Sequence, residues 1–227
     1  MAPPMGAPSL VRGIIFDFDG TLVDSYDAIA QSLNHVRTAH SLPPLETSRI
    51  TAMVGHGLEH LIAEAVGPEH VENGVRLFRE SYGGLCEKQT SLLPTVKETL
   101  EELDRRGYMM GIASNKPSYF ARPILQALEI DHLFEEVLGP NDVGKPKPDP
   151  EMLELILMRF GLSPDEVLYV GDMTLDIEVA RRAAVSIYAL PTGSASRETL
   201  LEAGPDRLLH RFADLLLHLP AISGSRA

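Results

Sequence analysis

The sequence predicts an α/β protein in which a doubly wound parallel sheet carries an inserted all-helical domain. Residues 24–91 show helical periodicity and little strand pattern. From Pro94 onward, short apolar runs alternate with amphipathic helical segments, which is typical of a parallel sheet covered by helices on both faces. Polar residues follow several of the predicted strands where each strand ends. We therefore expect a ligand crevice at the carboxyl edge of the sheet.

The first predicted strand covers residues 10–16 and ends in an acidic turn. Its mostly apolar run suits a strand that is buried on both faces of a parallel sheet. Asp17 and Asp19 follow, and side chains in an extended segment alternate, so both carboxylates can point the same way. Two such carboxylates repel each other unless a cation or a proton lies between them. The turn, which Gly20 permits and to which Thr21 adds a hydroxyl, therefore suits a divalent cation and a phosphate.

The helical insert begins directly after this turn. A helix capped by Asp24 or Ser25 is predicted to run to about Ala39, because its apolar residues recur at three- and four-residue spacing. Three further helices are predicted in the insert: Thr47–Met53, Leu58–Val66 and His70–Leu85.

The domain boundaries follow from this change of pattern. We expect a core of residues 10–22 and 93–220, a helical insert of residues 23–92, and flexible termini at 1–9 and 221–227. The two linkers of the insert lie close to the acidic turn. We therefore expect the insert to swing towards the core and exclude water from the acidic turn.

After the insert, strands and helices alternate and three further polar motifs appear. The predicted strands are Tyr108–Ala113, Phe134–Leu138, Val167–Val170 and Val185–Leu190. The predicted helices are Thr95–Arg106, Tyr119–Leu128, Glu151–Phe160, Leu175–Ala184, Ser196–Glu202 and Phe212–His218. The polar motifs are Ser114-Asn115, Lys145 in a proline-rich loop, and the pair Asp172 and Asp176.

Each of these motifs alone has an ordinary structural explanation. Ser114 and Asn115 suit a helix cap, Lys145 suits a solvated surface, and the two aspartates suit the first turn of a helix. Four strand exits nevertheless carry polar residues suited to phosphate chemistry, and the exits of parallel strands meet at one edge of the sheet. Their joint occurrence therefore favours a phosphate site.

Composition excludes several other classes of protein. The 227 residues, of which 44% are hydrophobic, can bury a sizeable core. A net charge of −12 argues against a nucleic-acid binder, which needs a basic face. No apolar run is long enough to span a membrane, and residues 1–9 do not resemble a signal peptide. The single cysteine, Cys86, excludes an internal disulfide and favours a reducing compartment, so we expect a cytoplasmic protein. Monomer and homodimer both remain open.

Taken together, the motifs resemble those of the haloacid dehalogenase-like phosphohydrolases in kind and in order. The matching stretches are Asp17-Phe-Asp19-Gly20-Thr21, Ser114, Lys145 and Gly171-Asp172-x-x-x-Asp176. The resemblance extends over residues 11–217 and implies a doubly wound, Rossmann-like core. The insert resembles the small helical cap that this family carries between its first and second motifs, and we call residues 23–92 the cap.

The resemblance implies a role for each acidic residue. Asp17 would be the nucleophile that becomes an aspartyl-phosphate. Asp19 would protonate the leaving oxygen and then activate water. Mg²⁺ would bind the Asp17 carboxylate, the Asp19 backbone carbonyl and Asp172, with Asp176 as a ligand directly or through water. An acid at position 19 disfavours dehalogenase chemistry, because a halide needs no proton.

The remaining motif residues would bind the phosphoryl group. Ser114 and Lys145 would hold its oxygens as charge shifts in the transition state. Lys147 is a rival for this role, and Lys145 is preferred because it begins the Lys-Pro-x-Pro pattern of the family. Further phosphate contacts are expected from Gly20, Thr21 and Asn115.

The cap would select the leaving group. Its Val-Gly-His-Gly stretch is similar to stretches in the caps of phosphoglycolate phosphatases, which favours 2-phosphoglycolate as the substrate. The residues expected to contact this small anion are Arg49, Gly55, His56 and Gly57.

Several alternatives share the core motifs. They are a pyrophosphatase, a nucleotide or sugar-phosphate phosphatase, and a β-phosphoglucomutase-like mutase. A phosphonatase would need a lysine in the cap as a Schiff base, and the cap contains only Lys88, near its exit. A non-enzymatic phosphate-binding module is disfavoured, because both Asp17 and Asp19 are present.

Overall fold

The computed structural model of the protein describes residues 11–222. Within this range the strands, in chain order, are β1 (Gly13–Phe16), β2 (Val23–Asp24), β3 (Ser91–Leu92), β4 (Met109–Ala113), β5 (Glu136–Leu138), β6 (Val167–Gly171), β7 (Ser186–Ala189) and β8 (Arg207–Leu208). Six of them form one parallel sheet in the order β5-β4-β1-β6-β7-β8. This is the doubly wound parallel sheet that the sequence predicts, with the first strand at its centre.

The nine α-helices of the described chain include four in the cap and five in the core. Those of the cap are α1 (Tyr26–Ala39), α2 (Thr47–Thr51), α3 (Leu58–Val66) and α4 (Val71–Gly83). Those of the core are α5 (Val96–Arg105), α6 (Ser118–Ala127), α7 (Glu151–Phe160), α8 (Thr174–Arg182) and α9 (Arg197–Ala203). The segment predicted as a last helix is a 3₁₀ helix, Phe212–Leu217.

Helices cover both faces of the sheet because its central strands are apolar on both sides. Ile14 and Phe16 of β1 point into one core, where they join side chains of α5, α6 and the last 3₁₀ helix. Ile15, between them, points into the other core with side chains of α7, α8 and α9. A continuous apolar run is therefore what this central strand requires.

The cap is a cluster of helices tied to the core by a short ladder. Helix α1 packs against α2, α3 and α4. Strands β2 and β3 lie in the two linkers and pair in an antiparallel manner, with Val23 opposite Leu92 and Asp24 opposite Ser91. The sequence predicts the linkers but not this pairing, because two residues per strand are too few to give a periodic pattern.

The carboxyl-terminal segment stays attached to the core beyond the predicted boundary at residue 220. The backbone N–H of Ile222 donates a hydrogen bond to the carbonyl of Arg106, and its side chain packs against the core. Ile222 is thus attached to the core, and residues 1–9 and 223–227 of the predicted flexible termini lie outside the described residues. Within the described range, no helix is both long and apolar enough to cross a membrane. Cys86 is buried, and burial raises the pKa of its thiol.

Candidate active site

Neighbouring strands bring three of the predicted motifs to one edge of the sheet. Strand β1 pairs with β4 on one side and with β6 on the other. Asp17, Ser114 and Asp172 each follow the last residue of one of these strands. The pairing of these strands therefore places the three residues at one edge of the sheet, and all three side chains are buried.

A cluster of three buried carboxylates lies at this edge. Asp17, Asp172 and Asp176 each offer a carboxylate oxygen, and these oxygens lie within 4.8 Å of one another. Asp172 Oδ2 is buried and accepts no hydrogen bond from residues 11–222. Oxygen donors at this spacing, one of them without a partner, fit a hard divalent cation. Burial first, then repulsion from Asp176 and Asp17, raises the pKa of Asp172 well above its ordinary value.

The lysine of the site is Lys147, not Lys145. The Nζ of Lys147 lies 3.0 Å from Asp17 Oδ1 and 2.7 Å from Asp176 Oδ1, and its side chain is 2% exposed. Lys145 instead has a side chain that is 73% exposed, and its Nζ lies 3.6 Å from Asp149. The expectation that Lys145 serves the site is therefore wrong. The physical reason is the path of the loop, which directs the second of its lysines inward and the first towards solvent.

Lys147 is held as a cation by the carboxylates around it. Burial disfavours its charge, but Asp17 and Asp176 more than offset this, and the pKa of Lys147 rises above its ordinary value. The hydroxyl of Tyr169 accepts a further hydrogen bond from Nζ at 2.9 Å. Backbone contacts fix the loop as well, because the N–H of Lys147 donates to Asn115 Oδ1 at 3.0 Å.

Both carboxylate oxygens of Asp176 accept hydrogen bonds from neighbouring groups. Its Oδ1 accepts from Lys147 and from the Tyr169 hydroxyl, and its Oδ2 accepts the backbone N–H groups of Asp172 and Met173. Burial raises the pKa of Asp176, and the charge of Lys147 opposes that rise. The carboxylate of Asp176 therefore fixes the position of the Lys147 side chain and of the turn after β6.

Thr21 and Gly20 serve the acidic cluster and are absent from the lining of the cleft. Thr21 Oγ1 donates to Asp172 Oδ1 at 2.8 Å and is fully buried. Gly20 has φ +84°, and a Cβ there would lie 2.6 Å from Asp172 Oδ2. A Cβ on Gly193 would lie only 1.8 Å from the same oxygen. The predicted phosphate contacts of Thr21 and Gly20 are thus replaced by contacts that shape the surroundings of Asp172.

Asp19 lines the same cleft as Asp17 and binds a lysine to which no role was assigned from the sequence. Lys116 Nζ donates to Asp19 Oδ1 at 3.0 Å and to Oδ2 at 3.1 Å. It also donates to the hydroxyl of Tyr82, on α4 of the cap, at 2.6 Å. Ser25 Oγ donates to Asp19 Oδ1 as well. Burial disfavours the charge of Lys116, but Asp19 offsets it and the pKa of the lysine is raised.

Only part of the predicted cap contact reaches the cleft between cap and core. Gly55 and Gly57 line this cleft, together with Asp17, Asp19, Ser114 and Asn115. Arg49 and His56 are exposed and are absent from its lining, and the ring of His56 lies 5.1 Å from that of His60. In this arrangement the turn presents Gly55 and Gly57 to the cleft, and substrate binding by Arg49 and His56 stays a prediction.

Asn115 bridges the cap and the lysine loop. Its Nδ2 donates to the carbonyl of Gly55 at 3.0 Å and to that of Lys147 at 3.1 Å. Together with the bond to the N–H of Lys147, these contacts use both hydrogens and the oxygen of the amide. Asn115 was expected to bind phosphate. In the structure its side-chain amide instead connects Gly55 of the cap to the loop of Lys147.

Comparison with known proteins agrees with this geometry. The sequence model of the haloacid dehalogenase-like hydrolase family matches residues 14–190 of the chain. The chain belongs to this family. Members of similar sequence include the phosphoglycolate phosphatases of Photorhabdus laumondii, 35% identical over 93% of this chain and 94% of that protein, and of Yersinia pestis, 36% identical over 93% of each. A crystal structure of a predicted phosphoglycolate phosphatase from Haemophilus somnus superposes with a TM-score of 0.88 at 32% identity, covering 93% of this chain and 99% of that one.

In this haloacid dehalogenase-like hydrolase, Asp17, Asp172 and Asp176 lie close together, as expected of acidic residues that follow neighbouring parallel strands. From the sequence, Lys147 was only the rival of the preferred Lys145, and Lys116 was given no role. For Lys116 the usable pattern was its place two residues after Ser114, at the exit of β4. For Lys147 the two candidates have the same local sequence, Lys-Pro, and only the folded loop distinguishes them.

Proposed function

We propose that this hydrolase is a Mg²⁺-dependent phosphatase that cleaves a small phosphomonoester through an aspartyl-phosphate on Asp17, with 2-phosphoglycolate as its substrate. The observation that carries the proposal is the convergence of Asp17, Lys147 and the buried acidic cluster at one strand edge. The similarity of the chain to the phosphoglycolate phosphatases of Photorhabdus laumondii and Yersinia pestis supports this substrate. We further infer that the enzyme works in the cytoplasm on a small phosphorylated metabolite.

The first step is transfer of the phosphoryl group to Asp17. A carboxylate oxygen of Asp17 attacks phosphorus, and the bond between phosphorus and the leaving oxygen breaks. Asp19 gives its proton to that oxygen, so that glycolate leaves as an alcohol. Lys147 and Ser114 stabilise the negative charge on the phosphoryl oxygens, because Lys147 is buried within 3.0 Å of Asp17 and Ser114 lines the same cleft.

The second step is hydrolysis of the aspartyl-phosphate. Asp19, now a carboxylate, takes a proton from water, and the water oxygen attacks phosphorus. Inorganic phosphate leaves and the Asp17 carboxylate is restored. The cap, joined to the core by the β2–β3 ladder, would close over the cleft during transfer and open for release.

Asp17, Asp172 and the backbone carbonyl of Asp19 would hold the cation. Bound there, Mg²⁺ would offset the charge of the carboxylates and of the phosphate, and so allow an anionic nucleophile to approach an anionic substrate. Asp176 already has two partners on each oxygen, so we assign it the positioning of Lys147 and of the turn that carries Asp172.

The proposal is tested by measuring phosphate release with Mg²⁺ from a panel of substrates. The panel contains 2-phosphoglycolate, pyrophosphate, sugar phosphates and nucleoside monophosphates. We expect the largest kcat/KM for 2-phosphoglycolate. A preference for another member would refute the substrate and keep the phosphatase assignment, whereas turnover of β-glucose 1-phosphate to glucose 6-phosphate would identify a mutase. Absence of phosphate release from every member would refute the phosphatase itself.

Metal binding should strengthen as the pH rises. The pKa of Asp172 is raised by burial and by its acidic neighbours, and a carboxyl must lose its proton to bind a cation. Because the folded-state pKa lies above the unfolded value of about 3.9, the metal-free protein loses stability as the pH rises from that value through the raised pKa. Mg²⁺ should restore this stability, so the rise in Tm on adding Mg²⁺ should grow with pH over the same interval.

Melting curves with and without Mg²⁺ across this interval measure the effect. In Asp172→Asn the response to Mg²⁺ should be largely lost, and the fall of Tm with pH should be reduced to the part that Asp176 contributes. Asp24→Asn is the matched control, because Asp24 is exposed and lies outside the cluster. A Tm response that is the same at every pH, or that survives in Asp172→Asn, would contradict the assignment of Asp172 to the cation.

A further inference from the structure

Lys116 is a buried cation that the mechanism above leaves without a task. Its side chain is 5% exposed, and its Nζ lies 4.7 Å from the centre of the Tyr82 ring and 5.8 Å from that of Phe18. Burying an ammonium group is costly unless it is paired and hydrogen-bonded. A lysine held in this way in the lining of a catalytic cleft suggests a function in binding.

The rest of the cleft offers little else to an anion. Of the described residues that line it, Lys116 alone carries a positive charge. Much of the remaining lining is apolar and includes Ile29, Val54, Leu58, Leu61, Phe78 and Phe120. The exposed Arg49 and His56 of the cap do not contribute to it. An anionic leaving group that enters this cleft therefore meets one side-chain cation beyond the phosphoryl site.

Lys116 also lies next to the position that the leaving group would occupy. To protonate the leaving oxygen, Asp19 must lie next to it, and Lys116 contacts both carboxylate oxygens of Asp19 at 3.0 and 3.1 Å. The atoms attached to the leaving oxygen therefore lie close in space to the ammonium group of Lys116. The contact with Asp19 further shows that the ammonium group accommodates a carboxylate in this position.

We propose that Lys116 binds the carboxylate of the leaving group and so selects phosphate esters of small hydroxy acids over esters of neutral alcohols. This inference rests on the proposed phosphatase function. On binding, the substrate carboxylate takes one of the contacts that Lys116 makes with Asp19. Tyr82 acts as a positioning residue, because its hydroxyl accepts a hydrogen bond from Nζ at 2.6 Å and it belongs to the cap. Recognition of the carboxylate is thereby confined to the closed arrangement of cap and core.

The test uses two substrates that differ in one group. 2-Phosphoglycolate carries a carboxylate where 2-hydroxyethyl phosphate carries a hydroxymethyl group, and both present the same phosphoryl group to Asp17. We expect the wild-type enzyme to favour 2-phosphoglycolate in kcat/KM by about 10- to 100-fold, the range of a charge-assisted hydrogen bond. In Lys116→Met this ratio should fall to near one, with most of the loss in KM for 2-phosphoglycolate. Lys88→Met, which removes an exposed lysine from the cap, should keep the wild-type ratio.

The outcomes separate this inference from the proposed function. If the wild-type ratio is high and Lys116→Met lowers both substrates equally, Lys116 only supports Asp19 and the inference is overturned, while the phosphatase assignment stands. If the wild-type enzyme hydrolyses both esters equally, both the substrate assignment and the role of Lys116 are wrong. Lys116→Gln, which keeps a hydrogen-bond donor near Tyr82 and Asp19 without the charge, repeats the test should the methionine variant not fold.

Discussion

Replacing Asp17 by asparagine should slow phosphate release from 2-phosphoglycolate by at least about 10³-fold, because a carboxamide cannot form the covalent intermediate. The loss should lie in kcat, since the amide keeps the size and place of the carboxylate. Folding should be preserved, because Lys147 retains Asp176 as a partner at 2.7 Å. Removal of one of three mutually repelling carboxylates should leave the Tm without Mg²⁺ at or above that of the wild type.

Steady-state kinetics and melting curves on the same preparations check this prediction. Asp24→Asn is the matched control, since it makes the same chemical change at an exposed position and keeps the oxygen that accepts the N–H of Tyr26. Its activity should equal that of the wild type. Phosphate release by Asp17→Asn within tenfold of the wild type would show that the nucleophile is another group.

The second large effect distinguishes the two lysines of the proline-rich loop. Lys147→Met should lower kcat by about 10²- to 10³-fold, the usual loss when one charge-stabilising donor is removed from a transition state. It should also lower the Tm, because Asp17 and Asp176 then remain buried without their cation. Lys145→Met should change neither value measurably, since its ion pair with Asp149 is exposed.

The same pair of variants tests the correction made to the sequence analysis. Both substitutions remove one lysine that precedes a proline, only two residues apart, so both variants change the net charge by the same amount. Activity lost in Lys145→Met and kept in Lys147→Met would restore the original expectation. Equal losses in both would point to the conformation of the loop, not to either ammonium group.

The fold and the acidic motifs were predictable because local pattern determines them. A strand buried on both faces must be apolar throughout, and in a doubly wound sheet the polar residues after such strands meet at one edge. Asp17, Ser114, Asp172 and Asp176 therefore came together as expected.

The side chains whose placement differs from the expectation depend on the direction of single residues in turns. Lys145 and Lys147 have the same local sequence, and burial of the second follows from the path of the loop between Asn115 and Asp176. Thr21 turns to Asp172, which lies 151 residues further along the chain. Arg49 and His56 have suitable chemistry, but the turn of the cap directs them outward. Directions of this kind are set by long-range packing that periodicity does not encode.

The bridge made by Asn115 has a consequence for the speed of the catalytic cycle. One hydrogen of its amide holds the cap at Gly55, while the other hydrogen and the oxygen hold the loop of Lys147. Departure of the cap would break only the first of these bonds, at a net free-energy difference of about 1 kcal/mol, or roughly fivefold in the opening equilibrium. Asn115 is thus joined to the cap by one hydrogen bond and to the loop of Lys147 by two. The cap could then open for product release while Lys147, the lysine proposed to bind the phosphoryl group, stays in place.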